Sequence, residues 1–141
     1  MIDQRKLPDV VIRFMDAPYK LGGSHREEGY DCLSFFYYFY KALSVDLGQS
    51  FHGYTMLNYN ERWEAGQGRK DFMDFLTSIG THIEVLHMMP GDVLVFGADD
   101  VVFPGVYLGN NNVLTCFLKY GVVVIPMRNI EHRLMEVRRI G

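Results

Sequence analysis

Cysteine is scarce in this sequence: only Cys32 and Cys116 occur in 141 residues. Two thiols make neither a disulfide framework nor a cysteine zinc site, so a reducing compartment is the default. No apolar run approaches the roughly 20 residues of a membrane-spanning helix. The opening "MIDQRKLPDVVIRFMD" has no apolar core of signal-peptide length. The chain as given is therefore expected to be made in the cytoplasm, with no membrane span. Blocks of Lys and Arg are missing too, and the net charge is −3. The most basic stretch, "RNIEHRLMEVRR", carries two Glu, so it reads as a solvated face or partner surface and not as a nucleic-acid patch. No repeat, low-complexity segment or linker is visible, which predicts one domain over residues 1–141. No His/Cys/Asp set has metal-ligand spacing, and nothing calls for a cofactor.

What is present is a globular balance, 48% hydrophobic and 22% charged, which argues against disorder. Helical signals come first. "PDVVIRFMD" (8–16) has Pro8 in its first turn, and the Gly- and charge-rich "APYKLGGSHREEGY" that follows reads as a loop. Asp31 is a good N-cap for a helix from Cys32 to about Leu43, which Gly48 follows. A further helical zone is expected over roughly 55–66. A last helix is expected in "RKDFMDFLTSI", with Phe72, Phe75, Leu76 and Ile79 at helical spacing and Gly80 behind it. After Gly80 come short β-branched runs: "HIEVLHM", "DVLVFG", "VVFPGVYLG", "NVLTCFLKY", "GVVVIPM" and "MEVRRIG". "LGNNNV" and "KYG" read as hairpin turns. Helices followed by strands predict an α+β fold with an antiparallel sheet.

The stretch "EGYDCLSFF" (28–36) has two readings. A Cys in the first turn of a helix feels the positive end of the macrodipole, which favours a reactive thiolate. A Cys beside "SFFYYFY" is also a good small core residue. That helix is aromatic nearly all round, which favours core over a ligand groove.

Three blocks in order, "PYKLGGSHREEGYDCLSFFYYFYKAL", "MMPGDVLVFG" and "VVFPGVYLGNNNVLTC", resemble the NlpC/P60 family of cysteine peptidases over about residues 18–125. The family's blocks run Tyr-x-x-Gly-Gly to an aromatic-Asp-Cys helix start, then a Pro-Gly-Asp strand opening, then a strand ending Gly-Val/Ile-Tyr-Leu/Val-Gly. The bulky residue after the Cys in "DCLS" and the closing "VRRIG" resemble its phage-tail branch. The resemblance implies a papain-like fold, with a nucleophile helix on an antiparallel sheet. It also implies acyl transfer from a bacterial wall peptide through a thioester, which needs a thiolate, a His to move protons and a third polar group.

By this resemblance Cys32 takes the nucleophile position, Asp31 caps its helix and Tyr19 falls near the family's active-site Tyr. The family's His precedes x-Gly-Val/Ile-Tyr, and here that residue is Phe103. The third polar position is Thr115. Phe has no proton to exchange, and Pro104 beside it lacks an N–H and disturbs sheet pairing except at an edge or bulge. Among the five His, His25 lies in the loop before Cys32 and is the best substitute base. His52, His82, His87 and His132 read as surface residues. Cys116 is expected to face away from Thr115, and a one-residue slip in the alignment would exchange the two.

Two classes of function follow from the residues. One is a non-catalytic binding or structural protein on this scaffold, with a peptidoglycan peptide or a phage-tail protein as partner and a place in a virion within reach. The other is a cysteine hydrolase working through Cys32 and a relocated base such as His25. A thiol sensor has only Cys32 to recommend it.

Overall fold

The computed structural model describes residues 2–45, 47, 50–51, 54–55, 67–98 and 101–140. Helix α1 spans Leu7–Phe14, with Leu7, Val10 and Phe14 on its buried stripe. It ends earlier than its apolar pattern suggests, because Met15 turns to ψ 139° and Asp16 takes a left-handed φ of 68°. Helix α2, Cys32–Ala42, is buried on almost every side: Leu33, Phe35, Phe36, Phe39 and Tyr40 are inaccessible to solvent. Each such side chain stabilises the fold by roughly 1.5–3 kcal/mol relative to leaving it in water. The core reading of the aromatic run therefore holds.

Strands β1 (Ser50–Phe51) and β2 (Tyr54–Thr55) form a short antiparallel pair. The expected helix over 55–66 is thus a strand at Thr55, and residues 56–66, like Gly48 and His52, lie outside the described residues. Helix α3 spans Gln67–Ser78, with Phe72, Phe75 and Leu76 buried. Strand β3 is only Thr81–His82. The rest of "HIEVLHM" is not strand, which corrects the reading of that run. Val85–His87 is a 3-10 turn, closed by the His87 N–H on the Glu84 carbonyl at 2.8 Å. Arg139 holds the turn by its His87 carbonyl at 2.8 Å, so the chain leaves the sheet edge there and Leu86 is left 95% exposed.

Strands β4 (Val93–Ala98), β5 (Val101–Gly109), β6 (Asn112–Phe117), β7 (Gly121–Pro126) and β8 (Leu134–Arg139) complete a six-stranded antiparallel sheet, ordered β3-β8-β4-β5-β6-β7. Asn110 and Asn111 form the β5–β6 turn with φ 52° and 60°, the doubly left-handed geometry that matches strand twist. The outer edge of β7 is covered by the chain after α1: Val122 donates to Ala17 at 2.8 Å and accepts from Asp16 at 2.9 Å. One sheet face, with Val93, Val95, Val102, Val106, Leu114, Cys116 and Val122, packs on the helices. The other carries a second apolar layer of Leu94, Phe96, Phe103, Val113 and Val137, joined by Met127 and Ile130 from the turns before β8. The architecture is the α+β fold expected from the order of elements.

The "PGD" stretch is a junction. Asp92 is buried, and its carboxylate accepts from the Met89 N–H at 2.8 Å and from Arg139 Nε and Nη2, both at 2.9 Å. This fork-on-carboxylate geometry is the strong form of a charged pair. Next to it, the Tyr107 N–H donates to the Asp92 carbonyl at 2.9 Å, and the Tyr40 hydroxyl donates to the Gly91 carbonyl at 2.8 Å. Burial, and then the Asp92 charge, push the Tyr40 phenol well above its usual range, so it stays a donor.

Tyr40→Phe removes that donor and strands a buried carbonyl, so unfolding in urea should show a loss of about 1–2 kcal/mol. A second prediction concerns His82, whose imidazole lies against Glu136 and, at 3.3 Å, Glu84. The Glu136 contact first, then Glu84, hold its pKa above 6.5. The folded state thus binds the proton more tightly. The resulting stability is complete below the unfolded value and fades as pH rises through the folded one. An NMR titration should place the His82 midpoint above 6.5, and Glu136→Gln should lower it.

Candidate active site

Local chemistry shapes the start of α2. Asp31 is buried and extended, and it closes a capping box: its Oδ1 accepts the Ser34 N–H at 2.8 Å, and the Ser34 hydroxyl accepts the Asp31 N–H at 3.0 Å. Oδ2 accepts the Gly22 N–H at 2.7 Å. A single carboxylate therefore caps the helix and ties down the Gly22-Gly23 turn. Gly22 has φ +68°, and Gly23 lies so close to the Gly29 carbonyl that a Cβ would collide with it. That pairing explains a Gly-Gly in the loop. Tyr19 and Tyr30 are bridged in parallel, with the Tyr30 N–H on Pro18 and the Lys20 N–H on Tyr30.

Cys32, first residue of α2, is 4% exposed and belongs to the helix-side core. Cys116 shares that core, and its thiol donates to the Tyr30 carbonyl at 3.2 Å. Neither cysteine is in a disulfide. Cys116 faces the helices and Thr115 the opposite way, as strand alternation requires.

Phe103 is 7% exposed and belongs to the second apolar layer, not to the cluster that holds Cys32. Its ring stacks on Phe96 at 5.2 Å and meets Phe117 edge-on at 5.4 Å, geometry that favours aromatic pairs. Thr115 sits on that same face, paired with Gly105. It is buried, and its hydroxyl donates to the Pro104 carbonyl at 2.9 Å.

Pro104 fits inside β5 for a backbone reason. Tyr107 turns its N–H and C=O toward Asp92 and Gly91 at the head of β4. By alternation Pro104 points its missing N–H at β6. The β5–β6 ladder begins only at Gly105↔Thr115, one residue later, so no ladder bond is lost to the ring. The Thr115 hydroxyl satisfies the Pro104 carbonyl instead.

Of the histidines, His25 is exposed at the loop tip, with Nδ1 2.8 Å from the Ser24 hydroxyl. His82, His87 and His132 are exposed as well. Among the described residues no group of three His, Cys, Asp or Glu could hold a metal ion, and no helix is long and apolar enough to cross a membrane. Sequence reading missed Ser34 and Gly22. The Asp31-x-x-Ser34 spacing was the available signal, although Ser is not the usual Glu or Gln partner of a capping box.

Asp31→Ala leaves the Ser34 and Gly22 N–H groups without their acceptor. Urea unfolding should show a loss of about 1–2 kcal/mol, and hydrogen exchange should quicken at Gly22 and Ser34 first.

Comparison with known proteins bears on the family and the fold. The model of the NlpC/P60 family matches residues 16–139. Gamma-DL-glutamyl hydrolase of Bacillus subtilis (strain 168) is 30% identical over 113 residues, which is 79% of this chain but 22% of that protein. NlpC1 from Trichomonas vaginalis superposes with a TM-score of 0.71 at 19% identity, over 98% of this chain and 44% of its own. The NlpC/p60 domain of the peptidoglycan hydrolase SagA does so with a TM-score of 0.64 at 18% identity, over 99% of this chain and all of that domain. The family model spans both the Asp31-Cys32 helix start and the Asp92 junction, and this chain belongs to the NlpC/P60 family.

Proposed function

We propose that this chain is a non-catalytic member of the family, a binding or structural protein of the phage-tail or cell-wall type in which Cys32 persists without its base. The observation that carries the reading is the side chain at 103. Where the family resemblance puts an imidazole, a phenyl ring is packed against Phe96 and Phe117. Thioester chemistry needs a base for the thiol and an acid for the leaving amine. A ring without a titratable proton supplies neither. Thr115 already spends its hydroxyl proton on the Pro104 carbonyl. Loss of the base from a triad costs on the order of 10⁴–10⁶ in turnover, and a helix dipole at Cys32 cannot protonate an amine.

The names of the relatives choose the ligands to try: one is a gamma-DL-glutamyl hydrolase and another the domain of a peptidoglycan hydrolase. Peptides of those two kinds are the proposed ligand class, with a tail protein as the other partner. The rival reading, an active hydrolase, is favoured by the intact cap at Asp31 and the helix-start position of Cys32.

Incubation of the protein with γ-glutamyl peptides and wall-peptide fragments, followed by mass spectrometry, separates the two. The expected result is the same product level for wild type and Cys32→Ala. Cleavage by wild type that disappears in both Cys32→Ala and His25→Ala would establish the hydrolase instead.

A further inference from the structure

α2 leaves one stripe short of full burial, Tyr38, Lys41 and Ala42, and these residues are three and four apart on one face. An open groove of about 460 Å³ lies there, between the C-terminal ends of α1 and α2 and the loop that leads into Tyr30. Phe14, Tyr30 and Tyr38 form its floor, and Arg13, Arg26 and Lys41 stand around its rim. The rings are packed on each other: Phe14 to Tyr30 at 5.0 Å and Tyr30 to Tyr38 at 6.2 Å. Burial, above all, lifts both tyrosine phenols above their ordinary 10, so each is a neutral hydrogen-bond donor near neutral pH.

The rim is cationic on three sides. Arg13 and Lys41 lie in the last turns of α1 and α2, where a positive charge suits the helix dipole. Arg26 comes from the loop, with Nη2 anchored 2.9 Å from the Met15 carbonyl. Lys41 lies 5.6 Å from the Tyr37 ring. Among the described residues none of the three is in an ion pair. Glu27 is the carboxylate that acts on Tyr30 from nearby. Helix dipoles account for two of the cations. They do not account for an aromatic floor left open between three positive charges in a chain whose net charge is −3.

From this juxtaposition we propose that the α1–α2 groove binds an acidic peptide segment of a partner protein, its carboxylates on Arg13, Arg26 and Lys41 and an apolar side chain on Phe14, Tyr30 and Tyr38. Charge complementarity fixes the sign of the ligand. The floor asks for an aromatic or long aliphatic side chain between the acids. A nucleic acid fits less well, because a phosphate backbone rewards a stripe of many cations, and here three surround one hollow with Glu27 beside them. The site is built by Arg13, Arg26 and Tyr38, so the inference stands whether or not Cys32 is active.

The test is fluorescence anisotropy on the full chain at low salt, with a labelled five-residue peptide of four glutamates around a central phenylalanine. Binding should saturate, weaken as salt is added and vanish for the analogue with glutamine in place of each glutamate. The surface double variant Arg13→Gln with Lys41→Gln should weaken it roughly tenfold, and Tyr38→Ala should weaken it independently. Absence of saturation, or affinity unchanged in both variants, would overturn the proposal. Tighter binding of a labelled oligothymidylate that depends on the same residues would overturn the assignment to a peptide. Cys32-dependent cleavage in the hydrolysis assay bears on the catalytic reading alone, so the two can fail separately.

Discussion

A buried carboxylate organises this fold. Asp92 joins the turn at Met89, the head of β4 and the end of β8, because its two oxygens take one backbone N–H and two guanidinium N–H groups. Its neighbour Gly91 receives the hydroxyl of Tyr40 from the last turns of α2, and its own carbonyl receives Tyr107 of β5. Helix, central strands and C-terminal strand therefore meet at two consecutive residues. A buried charge is tolerable only when paired and hydrogen-bonded, and the Arg139 fork provides both. The Asp92 carboxylate in turn raises the Arg139 pKa, principally through their hydrogen bonds.

A second buried carboxylate, Asp31, anchors the N-terminal end of α2. Asp31 closes the helix on Ser34 and the loop on Gly22, which sets Cys32 in the first turn. The Asp31 carboxylate and the Gly91 carbonyl beside Asp92 hold the two ends of a helix with hardly any exposed surface of its own. Such a helix has little freedom to choose its orientation by hydrophobic pattern, since it is apolar all round. Polar contacts at its ends supply the direction that the pattern withholds. The single stripe that escapes burial is the one that lines the cationic groove.

The β5 strand shows how a proline is accommodated inside a sheet. Pro104 would break a ladder if its nitrogen faced a paired strand. The alternation set by Tyr107 turns that nitrogen to the side where the β6 ladder has yet to begin. Phe103 meanwhile enters a layer already rich in aromatics, between Phe96 and Phe117. Phe103 and Pro104 are thus both buried in β5, each accommodated by its surroundings.

The sequence by itself determined that helices precede an antiparallel sheet, the N-cap at Asp31, the Asn110-Asn111 turn and the family. Each is written in local rules: residue period, capping preference, left-handed tolerance, and motif spacing. The burial of the aromatic run was legible for the same reason. Tertiary structure decided what local rules cannot express. "HIEVLHM" looks like a strand, yet it bends into a 3-10 turn because Arg139, about fifty residues later in the chain, holds its His87 carbonyl. The roles of Gly22 and Ser34 depend on a carboxylate approached from two directions. Cys116 finds the carbonyl of Tyr30 only when the sheet closes on the loop before α2. Arg13, Arg26 and Lys41 are unremarkable letters in three separate segments, and only packing gathers them around one aromatic floor. Local pattern reports what a segment prefers, whereas distant charges and hydrogen-bond partners decide where it goes.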